Sequence, residues 1–194
     1  MMGMIRALTI SLVVFIPALA GAAVVQVESE AQLIQRSDAV VMGTIIGVNT
    51  AIQPRGGVIT TAQLRVFRAL RGVGPGEVIS IVVPGGVLKN GLTSMVAGAP
   101  TPRVGDWALV LLEKKSNLWT PQGLSLGWIE LKGSPESGFL AFRELDGLSL
   151  VGGAGQSVSK EIFRLRAIEL DVLWKRMETE MNPLALPQAG EVNQ

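Results

Sequence analysis

The sequence predicts a mainly β protein: a small barrel with an amphipathic helix at its C-terminal end. Three observations carry this. Residues 58–86 read as two β-rich runs around a Gly/Pro turn. The chain holds 23 glycines among short β-branched runs. From Ser159 the apolar period changes from two residues to that of a helix. Strands put alternate side chains on opposite faces, whereas a helix repeats every three to four residues.

The 58–86 stretch is the most legible. Val58, Thr60, Ala62, Leu64 and Val66 share one parity, while Thr61, Gln63 and Arg65 share the other. Ile79, Ile81 and Val83 alternate with Ser80 and Val82. Gly72, Gly74, Pro75 and Gly76 supply the turn, because glycine tolerates positive φ and proline presets φ. The pattern predicts adjacent antiparallel strands over Val58–Leu70 and Val78–Val83, in a closed or nearly closed barrel of about five strands.

Upstream, residues 1–22 have the pattern of a signal peptide: Arg6, an apolar run from Ala7 to Ile16, Pro17, then two small-residue sites ending at Ala20 and Ala22. The apolar run falls short of the ~20 residues that span a bilayer. Cleavage would leave a chain with no membrane anchor, exported to the periplasm or the exterior. Ser29 and Gln32 stand as a capping box for a short helix over Glu30–Arg36. Ala39–Val48 is an apolar strand in which Gly43 and Gly47 predict bulges or close packing.

Downstream, residues 87–104 form a long connection of weak pattern; such loops in a compact domain are often functional. Strands are expected over Asp106–Glu113, Leu118–Thr120, Leu124–Leu131 and, at the sheet's edge, Phe139–Leu145. Gly152–Gly155 reads as a hinge, and Ser159 as the N-cap of one long helix over Lys160–Met177. Its apolar face is expected to pack on the barrel. The expected organisation is a leader at 1–22, a barrel at 23–150, hinge and helix at 151–180, and a disordered tail at 181–194.

Composition excludes several chemistries. The chain has no histidine and no cysteine. It therefore has no imidazole base, Ser-His-Asp triad, thiol nucleophile, disulfide or Cys/His-ligated zinc. Formal net charge is +1, so no basic field is present to hold a nucleic-acid backbone.

The candidate constellations are few. Glu28 with Glu30, Asp106 with Glu113, and Glu144 with Asp146 are carboxylate pairs, read mainly as cap and strand-end residues. Ser157 and Ser159 near Lys160 are read as a helix start rather than a Ser/Lys dyad. Gly152-Gly153-Ala154-Gly155 precedes a helix but lacks the strand context and the GK(S/T) of a phosphate loop. Trp107, Trp119 and Trp128 are candidates for a stacking face, and Trp174 extends the candidate ligand or partner surface onto the helix.

The order SDAVVMGTIIGV (37–48), VITTAQLRVFRALRG (58–72), GEVISIVVPGG (76–86), GAPTPRVGDWALVLLE (98–113) and GLSLGWIEL (123–131) resembles exported bacterial proteins with an OB-like barrel. That barrel is related to the netrin-like module, the fold of tissue metalloproteinase inhibitors. The resemblance covers about half the chain. It implies an OB-like, netrin-like barrel with a helix packed on it. It also implies, more distantly, inhibition of a protease. Netrin-like inhibitors set an N-terminal cysteine on the enzyme's zinc, and this chain has none.

The reading that follows is an exported, non-enzymatic binding module without cofactor or metal, whose partner is an extracellular or periplasmic protein. The alternatives are an inhibitor or accessory factor of an extracellular protease, and a carboxylate-dependent hydrolase.

Overall fold

A computed structural model describes residues 23–181 apart from 28, 55 and 154. Residues 1–22, where a leader and its cleavage sites are expected, and residues 182–194 lie outside the described residues.

The described residues begin with β1 (Ala23–Gln26) and α1 (Glu30–Arg36), followed by two long strands, β2 (Ala39–Ile52) and β3 (Val58–Arg71). Then come β4 (Val78–Pro84) and the two short strands β5 (Gly86–Val87) and β6 (Thr93–Ser94). β7 (Trp107–Lys115) and β8 (Leu118–Pro121) follow, with a 3-10 turn at Leu124–Gly127 before β9 (Trp128–Ser134). β10 (Gly138–Arg143), β11 (Leu148–Val151), β12 (Ser157–Val158), β13 (Leu165–Glu169) and α2 (Leu170–Met181) complete it.

The main sheet runs β13-β10-β9-β7-β2-β3-β4-β8, and β8 also pairs with β7. Five strands thus form a ring: β7, β2, β3, β4 and β8. The β4–β8 seam is a single parallel pair, Ile81 with Trp119, so the ring is only partly closed. β3 and β4 pair antiparallel from Ile59↔Pro84 to Arg65↔Val78, as the alternation and the Gly-rich turn predicted.

Two cores share the sheet. Inside the ring lie Val41, Ile45, Leu64, Val66, Ile81, Val110 and Trp128. On the other face, Val40, Met42, Leu109, Leu111 and Ile129 meet α1 and α2 through Leu33, Ile34, Leu173, Trp174 and Met177. β7 serves both, alternating Leu109 and Leu111 with Ala108, Val110 and Leu112. The strand reads as continuously apolar for that reason.

The glycines of β2 do what their spacing suggested. Register shifts fall at Met42/Gly43 and Ile45/Gly47. A side chain at Gly43 would run into the Arg65 carbonyl of β3. The α1 cap also forms as expected: the Gln32 N–H donates to Ser29 Oγ at 3.1 Å.

The C-terminal region departs from expectation. Lys160–Ile162 is a single 3-10 turn, and the α-helix starts only at Leu170. Between them β13 pairs with β10, so Phe139–Leu145 is not the sheet's edge. The physical reason is a tertiary hydrogen bond. The Phe163 carbonyl accepts from Arg143 Nη1 at 2.9 Å, which competes with the i+4 N–H of a helix. Ala167 adopts φ 52°, which further breaks helical geometry. Gly152 and Gly155 form no hinge to the helix; they lie between β11 and β12 of a hairpin, where the Gly152 N–H donates to Gln156 O at 2.8 Å. The segment expected as strand over Leu124–Leu131 is strand only from Trp128.

Arg143 is the fold's buried charge, its side chain fully out of solvent. Nη1 donates to Glu30 Oε1 at 2.8 Å, and Arg176 of α2 reaches Glu30 Oε2 at 2.9 Å. Burial pushes the Arg143 guanidinium below its ordinary pKa, against the attraction of Glu30. No helix among the described residues is long and apolar enough to cross a membrane.

Candidate functional site

The four tryptophans do not share a surface. Trp128 is 6% exposed inside the ring, and Trp174 is 2% exposed in the other core, its Nε1 donating to Glu178 at 2.9 Å. Trp107 is half-buried between Phe67 and Phe139, with ring centroids at 5.6 and 5.0 Å. Trp119 is half-buried at the seam, with the Lys114 ammonium 5.2 Å from its ring. Two are therefore core, and the other two sit at different packing seams.

The described carboxylates of the candidate pairs each have partners of their own. Glu28 lies outside the described residues, and Glu30 is held by the two arginines. Asp106 accepts the Arg103 N–H in a turn ahead of β7, while Glu113 lies within that strand, beside Lys115 at 2.6 Å. Seven residue steps of extended chain separate them, about 23 Å, well beyond the roughly 5–9.5 Å of a glycosidase pair. Glu144 holds the Leu145 N–H, and Asp146 sits 3.7 Å from Arg164. Among the described residues no three metal-ligating side chains gather. Ser157 and Ser159 sit exposed on the β12 hairpin and before the 3-10 turn, and neither makes a side-chain hydrogen bond to Lys160 among the described residues.

What the fold does build is a groove of about 960 Å³ between the far ends of β2 and β3 and the connection from Pro84 to Arg103. Its floor is Val48, Thr50 and Thr60. The Thr60 hydroxyl donates to the Gly85 carbonyl at 2.7 Å and lies 3.0 Å from the Thr50 hydroxyl. Gly85 and Gly86 have φ of 82° and 133°. A side chain on Gly86 would strike both threonines, so only glycine lets this connection lie down on the sheet.

β5 and β6 form a small hairpin that makes one wall. The opposite wall is anchored at Gly98, whose carbonyl accepts from the Ser125 N–H at 3.0 Å and from the Ser125 hydroxyl. A side chain on Gly147 would come within 2.8 Å of the Gly98 nitrogen. The walls carry exposed apolar groups: Met95 at 91%, Val87 at 59% and Val96 at 38%.

The groove therefore offers apolar side chains, hydroxyls and main-chain groups. Arg103 and Asp146 are the charged residues in its lining. Among the described residues that line it there is no histidine, cysteine or lysine, and the lining is mainly small, hydroxyl-bearing and apolar. The length and weak pattern of residues 87–104 had marked this connection as functional material. The Pro-Gly-Gly at 84–86 marks where it folds onto the sheet. Nothing in the pattern joined it to Val48 and Thr50, which lie more than thirty residues upstream.

A scan against protein-family models gives no match, and a search of curated proteins and of solved structures likewise gives none.

Proposed function

We propose that the protein is an exported, non-catalytic binding module whose ligand surface is the groove beneath residues 84–103. One observation carries the reading: a wide, apolar, solvent-open groove held by glycines at fixed contacts, with exposed Met95, Val87 and Val96 on its walls. Exposed apolar groups gathered in one concavity mark an interaction site more often than a bare surface. Export rests on the leader-like residues 1–22, and the OB-like, netrin-like kinship on the motif order given above.

A second reading, an inhibitor or accessory factor of an extracellular protease, draws on the start of β1. The Ala23 N–H donates to the carbonyl of Gly147 at 3.1 Å, and Gly147 lines the groove. Cleavage after Ala22 would leave the new N-terminus beside the ligand surface.

The test is site-specific photocrosslinking in the producing cell. A benzophenone residue at Met95 should give discrete covalent adducts that Val48→Asp abolishes, whereas one at Val172, 61% exposed on α2, should give none. Adducts from Val172 alone, or Met95 adducts indifferent to Val48→Asp, would refute the groove.

A further inference from the structure

We propose that the groove takes the C-terminal end of an extended peptide, which adds antiparallel to the free edge of β2 and places its terminal carboxylate on Arg103. This deepens the binding reading above and rests on it. β2 has two neighbours at its start and one at its end. From Ala39 to Thr44 it lies between β3 and β7, whereas from Gly47 to Ile52 its register continues with β3 alone.

The chain entering β7 departs from that ladder at Gly105, whose N–H donates to the Ile45 carbonyl at 2.8 Å and whose φ is 93°. Past this point, among the described residues, residues 46–52 have no strand partner on the β7 side. A strand edge offers a row of N–H and C=O groups that another extended backbone satisfies along its length. Val48 and Thr50 line the groove, and Ile52, on the same parity, is 64% exposed. An added strand of five to seven residues would thus set alternate side chains beside Val48 and Thr50 and against the apolar walls at Val87, Met95 and Val96.

Direction follows from the ladder and charge. β7 runs antiparallel to β2 and starts with Trp107 opposite Thr44. A peptide occupying the vacant continuation of that line, in the same sense, ends where β7 begins, beside residues 103–106. Arg103 lines the groove, and among the described residues its guanidinium has no partner; only its backbone N–H is engaged, by Asp106 Oδ2 at 2.9 Å. Asp146, the other charged residue of the lining, faces Arg164 at 3.7 Å. Of the two charges in the lining, the one without an ion-pair partner is the Arg103 guanidinium, which fits a carboxylate in bidentate geometry. A peptide in the opposite sense would set its terminal ammonium against Arg103, a like-charge contact.

The experiment uses the purified chain and an array of seven-residue peptides with apolar residues at alternate positions, each made as the free acid and as the C-terminal amide. Binders should appear among the free acids and weaken about tenfold or more on amidation, equivalent to about 1.4 kcal/mol. Arg103→Gln should erase the acid–amide difference. With a bound peptide, amide hydrogen exchange over residues 48–52 should slow. Equal binding of acids and amides, a preference that survives Arg103→Gln, or no binder in the array would each overturn the proposal. Binding that ignores the terminal carboxylate but is lost in Val48→Asp would overturn this inference and leave the groove standing as the ligand surface. Failure of the Met95 adducts would remove the groove itself.

Discussion

Arg143 shows how one residue can be costly and yet hold a fold together. Its Nε and Nη2 have no hydrogen-bond partner among the described residues, and a buried donor left unpaired costs about 1–3 kcal/mol. In return Nη1 bridges Glu30 on α1 and the Phe163 carbonyl, while Arg176 of α2 takes the other oxygen of Glu30. The two partners should therefore respond unequally to substitution. Glu30→Gln leaves a buried guanidinium without its counter-charge and should cost about 3–5 kcal/mol. Arg143→Met removes the charge and its desolvation together and should cost less than half of that. Urea midpoints of the two variants test this; equal losses would show that Arg143 contributes by packing and by its bond to Phe163 rather than as a charge. The same residue explains an illegible part of the sequence. The carbonyl that stops a helix at Phe163 is claimed by a side chain twenty positions earlier.

The elements fall into two groups by how locally they are determined. β3, β4 and α1 were legible because each depends on neighbours: period-two alternation across Gly72–Gly76, and Ser29 capping Gln32. β13 was not. Phe163, Leu165, Ile168 and Leu170 fit a helical stripe and a bulged edge strand equally, and only the open side of β10 decides between them. β1 was illegible for a similar reason, since its parallel partner β11 lies 125 residues on, at Ala23↔Leu148. The groove was half-legible: its lid was a conspicuous loop, but its floor belonged to strands read as barrel wall. Although shorter than expected, α2 packs on the sheet as its apolar face required, with Leu170, Leu173, Trp174 and Met177 all buried. Trp174→Ala should therefore cost about 3–5 kcal/mol in denaturant unfolding of the monomer. An unchanged midpoint with weakened association would mean that the face serves a partner instead.

For the whole molecule, the decisive fact is that two cores share one sheet while the ring around one of them closes on a single pair, Ile81↔Trp119. Local opening should begin there. Trp119→Ala should speed amide exchange over Ile79–Val83 about tenfold, which corresponds to about 1.4 kcal/mol, and leave Leu173–Met177 protected. Equal acceleration in both regions would indicate that the cores open as one unit.

The alternation along β7 also bears on how the molecule avoids a wrong alignment. A strand with one wet face cannot slide by one residue, because the slip would bury its polar side chains. β7 is apolar on both faces from Ala108 to Leu112, so polarity imposes no such penalty on that stretch. The alignment is held instead at the two ends of the strand: the Gly105 N–H and Asp106 carbonyl are both bonded to Ile45 at 2.8 Å, and the Asp38 carboxylate takes the Lys114 N–H at 2.8 Å. Those few residues set the phase of β7 against β2, and a lesion among them should yield a mispaired but still apolar core rather than an unfolded chain.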